Sequence, residues 1–262
     1  MLDYALTGNP AGPAILFLHG FLGAHDDWDE VVQRLAPVYR CVTIDLPGHG
    51  RSVGASCLDD YGMVATADAV IEVADEAGLD HFSVVGYSMG GRIALYLATV
   101  FAMRLDCLVL ESASPGLKST AEREARRARD AAWAETFESE ELLIALEKWY
   151  GQPIFEQIKT DPVRFDAMLR RRLTNGPREV ARALRALGTG SQSPLWNELA
   201  FHTMPTLLVV GEHDAKFRAI AEEMTQRCPA MRLGMVPGCG HNVHFEKPQE
   251  YTELLQCFIP SA

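Results

Sequence analysis

The sequence predicts an α/β fold, a mostly parallel central sheet with helices on both faces and a helical cap inserted in the middle of the chain. Three observations carry this reading. Short apolar runs ending in Gly or Asp alternate with segments of helical spacing up to about residue 113. The alternation then stops, and residues 114–197 contain helical patterns without a strand among them. From residue 198 the strand–helix alternation resumes, so 1–113 and 198–262 are expected to form one core and 114–197 a cap.

Taken in order, "AILFLHG" (14–20) is a continuous apolar run closed by Gly, the pattern of a buried parallel strand. "DWDEVVQRLA" follows with helical spacing, and "RCVTIDLPGHG" is a second strand running into a Pro/Gly turn. "TADAVIEVADEAG" reads as an amphipathic helix stopped by Gly78. "HFSVVGYS", "GGRIALYLATVF" and "LDCLVLES" give strand, helix and strand. "TAEREARRARDAAWAETF", "SEELLIALEKWY", "DPVRFDAMLRRRL" and "PREVARALRALG" are the helices of the cap. The tail supplies "TLLVVGEHD" as strand, "RAIAEEMTQRC" as helix, a short strand around "RLGMV", and a last helix from about Pro248 to Phe258. Ligands of such sheets bind outside the carboxyl ends of the strands, so a cap inserted there would roof the site.

Composition narrows the function. With 262 residues, 48% hydrophobic and 23% charged, the chain has enough apolar material for one large domain with an insertion. No signal-peptide pattern opens it, and no stretch approaches the ~20 apolar residues of a membrane span. The six cysteines show neither C-x-x-C nor zinc spacing and read as reduced residues of a cytoplasmic protein. A net charge of −11 argues against nucleic acid as partner. The charge is uneven, however. Residues 115–197 carry 14 Lys and Arg against 12 Asp and Glu, whereas the remainder carries 10 against 23. An Arg-rich cap on an acidic protein points to an anionic small molecule.

"GYSMG" (86–90) matches G-x-S-x-G, the turn between strand and helix that presents a nucleophilic serine. Small residues two before and two after are needed because the turn leaves no room for side chains. Gly86 and Gly90 meet that need, and the serine is Ser88, set at a helix N-terminus where negative charge is favoured. A base and an acid should follow in the order Ser, Asp/Glu, His. Asp214 stands just beyond a late strand and His241 in a Gly-rich loop, with His213, His244 and Glu212 as rivals nearby. The glycines around His241 favour it, since such loops bring a side chain close to other backbone. "LHGFLG" (18–23) and the residue after the serine would supply oxyanion-hole N–H groups, those of Phe21 and Met89. His49, in "DLPGHGRS", reads as a structural loop residue.

Through "LHGFLG", "DLPGHGRS", "GYSMGGR", "GEHD" and "GCGHNVHFEKP" the sequence resembles the α/β-hydrolase superfamily. More narrowly it is similar to the 2-succinyl-6-hydroxy-2,4-cyclohexadiene-1-carboxylate synthases of menaquinone biosynthesis. That likeness rests on "GYSMGGR" with its arginine, "SPGL", "ARRARDAAWAETF", "EKWYGQPIF", "GSQSPLWNEL" and "GEHDAKFR", which span nearly the whole chain. The resemblance implies a lyase that expels pyruvate from a cyclohexene ring by proton abstraction, without metal or organic cofactor. It implies Ser88 as base, Arg92 as a carboxylate ligand one turn beyond, and Arg126, Arg170, Trp149 and Tyr87 as further substrate-binding residues. The sequence does not give the oligomeric state, and a monomer is the expectation. From the pattern alone, Glu122, Arg126 and Asp130 also fit a solvated ladder, and Trp149 fits plain packing with Leu142 and Leu146. "LESA" before "SPGL" departs from the family's glycines and histidine. The competing activities are a carboxylesterase or C–C bond hydrolase with Ser88 as nucleophile, and a ligand receptor on the same scaffold.

Overall fold

The computed structural model describes residues 1–54 and 57–261. Its core is a seven-stranded sheet built from β1 (Tyr4–Gly8), β2 (Ala14–Leu18), β3 (Arg40–Ile44), β4 (Phe82–Tyr87), β5 (Leu105–Glu111), β6 (Thr206–Gly211) and β7 (Met231–Val236). The spatial order is β1-β3-β2-β4-β5-β6-β7, parallel except for the antiparallel pairing of β1 with β3. Every residue of β2, β4 and β6 is buried, as expected of strands covered on both faces. β1, which the periodicity did not announce, is a half-exposed edge strand whose side chains carry no core signal.

Helices α2 (Met63–Glu76), α3 (Met89–Val100) and α8 (Ala215–Arg227) cover one face, burying Ala67, Ile93 and Met224 against Leu16, Val84 and Leu208. Helices α1 (Asp29–Leu35) and α10 (Pro248–Phe258), with the single turn α9 (Val243–Glu246) before the latter, cover the other, packing Val31, Tyr251 and Leu255 on Phe17, Val85 and Val209. Between β5 and β6 lie α4 (Thr120–Ser139), α5 (Leu142–Tyr150), α6 (Pro162–Arg172) and α7 (Pro177–Leu187). Ser119 and Glu122 close a capping box on α4, and Asp161 caps α6 ahead of its N1 proline. These inserted helices have their own apolar cluster of Phe137, Leu146, Trp149, Met168 and Leu184, which also takes in Leu22 from the loop after β2. No helix among the described residues is long and apolar enough to cross a membrane.

A buried polar contact ties the end of α6 to that loop. Arg172 donates two hydrogen bonds to the Asp27 carboxylate, at 2.6 and 2.8 Å, and a third to the Tyr150 hydroxyl at 3.2 Å. Asn175 donates to the Leu22 carbonyl at 2.9 Å and accepts from the Gly50 N–H at 3.1 Å. Burial alone would raise the Asp27 pKa, but the charge and hydrogen bonds of Arg172 prevail and hold it below the ordinary value. A carboxylate depressed in the folded state stabilises it above the ordinary carboxylate range, and the contribution is lost as pH falls through the folded value. Asp27→Asn should therefore cost about 3–5 kcal/mol at neutral pH, because it strands a buried guanidinium. Urea unfolding checks this: the gap between wild type and variant should be full above about pH 5 and shrink at lower pH.

Candidate active site

β4 ends at Tyr87, and Ser88 follows at φ 48°, ψ −101°, before α3 begins at Met89. A side chain at Gly86 would collide with Gly90 and Gly91, and one at Gly90 would overlap the carbonyls of Leu18 and His19. The Ser88 N–H donates to the Glu111 carbonyl at 2.8 Å and the Gly90 N–H to the His19 carbonyl at 3.1 Å. The serine is thus pinned between β5 on one side and the loop after β2 on the other. As first residue of α3, Met89 has an N–H without an intrahelical acceptor, and Phe21 lies in the adjoining loop.

His241 reaches Ser88 from the loop after β7. Its Nδ1 lies 2.6 Å from Asp214 Oδ2 and its Nε2 lies 3.3 Å from Ser88 Oγ. The Asp214 carboxylate fixes hydrogen on Nδ1, which leaves Nε2 to accept from the serine. Asp214 is held in turn as the N-cap of α8, its Oδ1 accepting from Phe217 N. Phe217, Tyr87 and Phe155 surround the imidazole at 4.7, 5.4 and 6.1 Å between centroids.

The rival residues have other partners. His244 is buried, stacks on Trp28 at 4.1 Å and meets the Glu111 carboxylate through both its N–H and its Nδ1. The glutamate of "LESA" therefore anchors α9 beneath the site. Glu212 is exposed and accepts from Gly238 N. His213 is exposed, and its backbone N–H donates to the Cys239 carbonyl. His49 is buried against His19 and Phe21, with a pKa lowered to about 3 chiefly by burial.

Ser88 and His241 open into a cavity of about 320 Å³ between the sheet and the inserted helices. Phe21, Met89, Arg92, Arg126 and Trp149 line it too. Arg92 is buried and donates to Gln192 Oε1 at 3.0 Å and to the Leu187 carbonyl at 2.6 Å. Both partners are neutral. Burial, reinforced by the charge of Arg126 and partly offset by Asp130, lowers its pKa to about 10. Arg126 pairs with the buried Asp130 at 2.7 Å, whereas Glu122 turns back to Ser119, so only one rung of the solvated ladder forms and it is not solvated. Trp149 packs on Phe21, Trp133 and Phe137 and also lines the cavity.

Two expected residues lie elsewhere. The side chain of Arg170 is 77% exposed, is paired with Asp166 and does not line the cavity. Helical phase explains this. Met168 and Arg172, four residues apart, form the inner face of α6, and Arg170 midway between them points outward. Tyr87 is buried below the imidazole of His241, beside Gly20, and supports the ring without lining the cavity. Conversely, Arg129, Lys216, Phe155 and Phe217 line the cavity although sequence patterns did not single them out. Among the described residues no Asp or Glu lines it.

Fold and site together define a protein of the α/β-hydrolase class, and the family model described as "alpha/beta hydrolase fold" matches residues 13–248. The chain is 35% identical to the 2-succinyl-6-hydroxy-2,4-cyclohexadiene-1-carboxylate synthase of Serratia proteamaculans, covering 96% of this chain and 95% of that one. It is 37% identical to the enzyme of the same name from an Enterobacter species, over 92% and 90% of the two chains. The solved structure of MenH from S. aureus superposes with a TM-score of 0.93 at 31% identity, covering 99% and 98%. The chain belongs to the 2-succinyl-6-hydroxy-2,4-cyclohexadiene-1-carboxylate synthase family.

The elbow geometry is directly testable. A small fluorophosphonate should label wild-type protein at Ser88 and leave Ser88→Ala unlabelled. Gly90→Ala, which must push α3 off the Leu18 carbonyl, should label at least about tenfold more slowly, as expected when a nucleophile and its base are misplaced by about 1 Å. Mass spectrometry of the intact protein reads the rates.

Proposed function

We propose that the protein eliminates pyruvate from 2-succinyl-5-enolpyruvyl-6-hydroxy-3-cyclohexene-1-carboxylate to form 2-succinyl-6-hydroxy-2,4-cyclohexadiene-1-carboxylate. The observation that carries the reading is the charge of the cavity. Arg92, Arg126, Arg129 and Lys216 line it and, among the described residues, no carboxylate does, within a chain of net charge −11. A neutral ester gives no use for those four cations, whereas this substrate bears three carboxylates. Membership of the synthase family supports the same choice.

In this reading Ser88 acts as a base and forms no acyl-enzyme. His241, oriented by Asp214, takes the hydroxyl proton as Ser88 Oγ removes the ring proton next to the succinyl ketone. The electron pair released moves onto the ketone oxygen, where the N–H groups of Phe21 and Met89 stabilise it. Its return shifts the ring double bond and breaks the carbon–oxygen bond to the enolpyruvyl group. The proton held by the Ser88–His241 pair completes pyruvate. One proton and one set of electron pairs move within the substrate, so the step calls for no oxidant or reductant. Arg92, with its neutral partners, holds the ring carboxylate, Arg126 a further one, and Trp149 packs on the substrate's apolar body. Residues 1–113 and 198–262 serve as the catalytic core and 114–197 as the cap, in a monomeric cytoplasmic enzyme.

Supplying the enolpyruvyl cyclohexene carboxylate and following pyruvate tests this. Ser88→Ala should lower turnover by about 10³-fold or more. Arg92→Ala should lower kcat/KM by about 10–100-fold, the worth of a charge-assisted contact. Brisk cleavage of a simple acetate ester without pyruvate release would replace the lyase reading with the esterase one.

A further inference from the structure

The four cavity cations are not equivalent. Arg92 is buried near Ser88 with two neutral acceptors, and Arg126 is half-buried with its charge met by Asp130. Arg129 on α4 and Lys216 on α8 are both exposed residues of the cavity wall. Among the described residues neither makes an ion pair or hydrogen bond; the Lys216 ammonium only approaches the Phe217 ring, at 5.2 Å. Other basic side chains just ahead of α4, on α8 and on α7 are engaged. Lys118 and Arg227 pair with Glu223, and Arg185 pairs with Glu138.

The two residues come from opposite sides of the seam. Arg129 belongs to the first inserted helix and Lys216 to the core helix that Asp214 caps. Both line the one cavity. Although the residue as a whole is exposed, partial enclosure of its ammonium by the cavity wall chiefly, then the charges of Arg126 and Arg129, lower the Lys216 pKa, with Asp214 partly offsetting them. Two unpaired cations set across a seam oppose its closing until an anion lies between them.

We infer that Arg129 and Lys216 form a carboxylate-binding subsite at the mouth of the cavity, joined across the cap–core seam and separate from the Arg92 position on its floor. The inference rests on the proposed polycarboxylate substrate. A carboxylate entering the subsite meets one donor from each side, so binding it draws α4 toward α8 and covers Ser88. The carboxylate is that of the enolpyruvyl group or that of the succinyl chain, and the product, which has lost the former, separates the two.

The test is equilibrium binding in the Ser88→Ala protein, followed by the fluorescence of Trp133 and Trp149, with intact substrate, with the diene product, and with citrate as a generic tricarboxylate. Lys216→Met and Arg129→Met should each weaken substrate binding about tenfold, as loss of a charge-assisted contact does. Combined, they should lose less than the product of the single effects, since both act on one carboxylate. Lys216→Arg should restore affinity. In proteins retaining Ser88, the loss should fall on KM more than on kcat. Weakening with substrate alone assigns the enolpyruvyl carboxylate, and equal weakening with product assigns the succinyl one. Changes below twofold for substrate, product and citrate, or no rescue by Lys216→Arg, overturn the subsite. If wild type releases no pyruvate, the lyase reading fails alone, and the subsite stands or falls on whether the variants weaken citrate. Wild type that binds none of the three overturns both.

Discussion

Ser88 occupies a backbone conformation that an L-residue keeps only where its surroundings over-determine it, and the rest of the site depends on that constraint. The tension is held by contacts on both sides: the Ser88 N–H on the Glu111 carbonyl, the Gly90 N–H on the His19 carbonyl, and glycines where any methyl would collide. One turn of chain thereby sets three positions at once. It aims Oγ at His241, leaves the Met89 N–H without an intrahelical acceptor, and brings α3 against the loop that carries Phe21. Glu111 does double duty here, since its carboxylate also secures His244 under the site.

Charge is arranged around this elbow by two different rules. Arg172 and Asp27 neutralise one another in a buried bidentate pair and join α6 to the loop after β2, a structural use of arginine. Arg92 is buried with carbonyl and amide partners only, so its charge stays available to the cavity. The difference between the two arginines lies in their partners and not in their depth, for both are almost fully enclosed. A pre-set cation beside the reacting serine costs folding energy that an anionic substrate recovers on binding.

How much was legible in the sequence varied with the kind of signal. The apolar runs of β2, β4, β5 and β6 and the helical block between the last two were readable because burial on both faces leaves a continuous apolar trace. β1 left none, being an exposed edge. The helix α8 begins earlier than its apolar spacing suggested because its first turn is fixed by Asp214, a residue whose side chain serves cap and His241 alike. The run of three arginines on α6 could not be resolved without knowing which face meets the core, and Arg172, not Arg170, turned inward. The resemblance makes Tyr87 a substrate-binding residue, but its place against the His241 ring and away from the cavity lining shows only in the third dimension. Gln192, Arg129 and Lys216 come from three distant segments, and only folding shows that each meets the cavity or its arginine.

The central claim is that Ser88 removes a proton and is never acylated. Its most direct test is a single-turnover measurement with substrate carrying deuterium on the ring carbon next to the succinyl ketone, with the intact mass of the protein recorded at each time point. Deuterium should slow pyruvate release, and the protein should keep its unmodified mass throughout. Pyruvate release at the same rate for both isotopologues, with a substrate-derived adduct on Ser88, would contradict it.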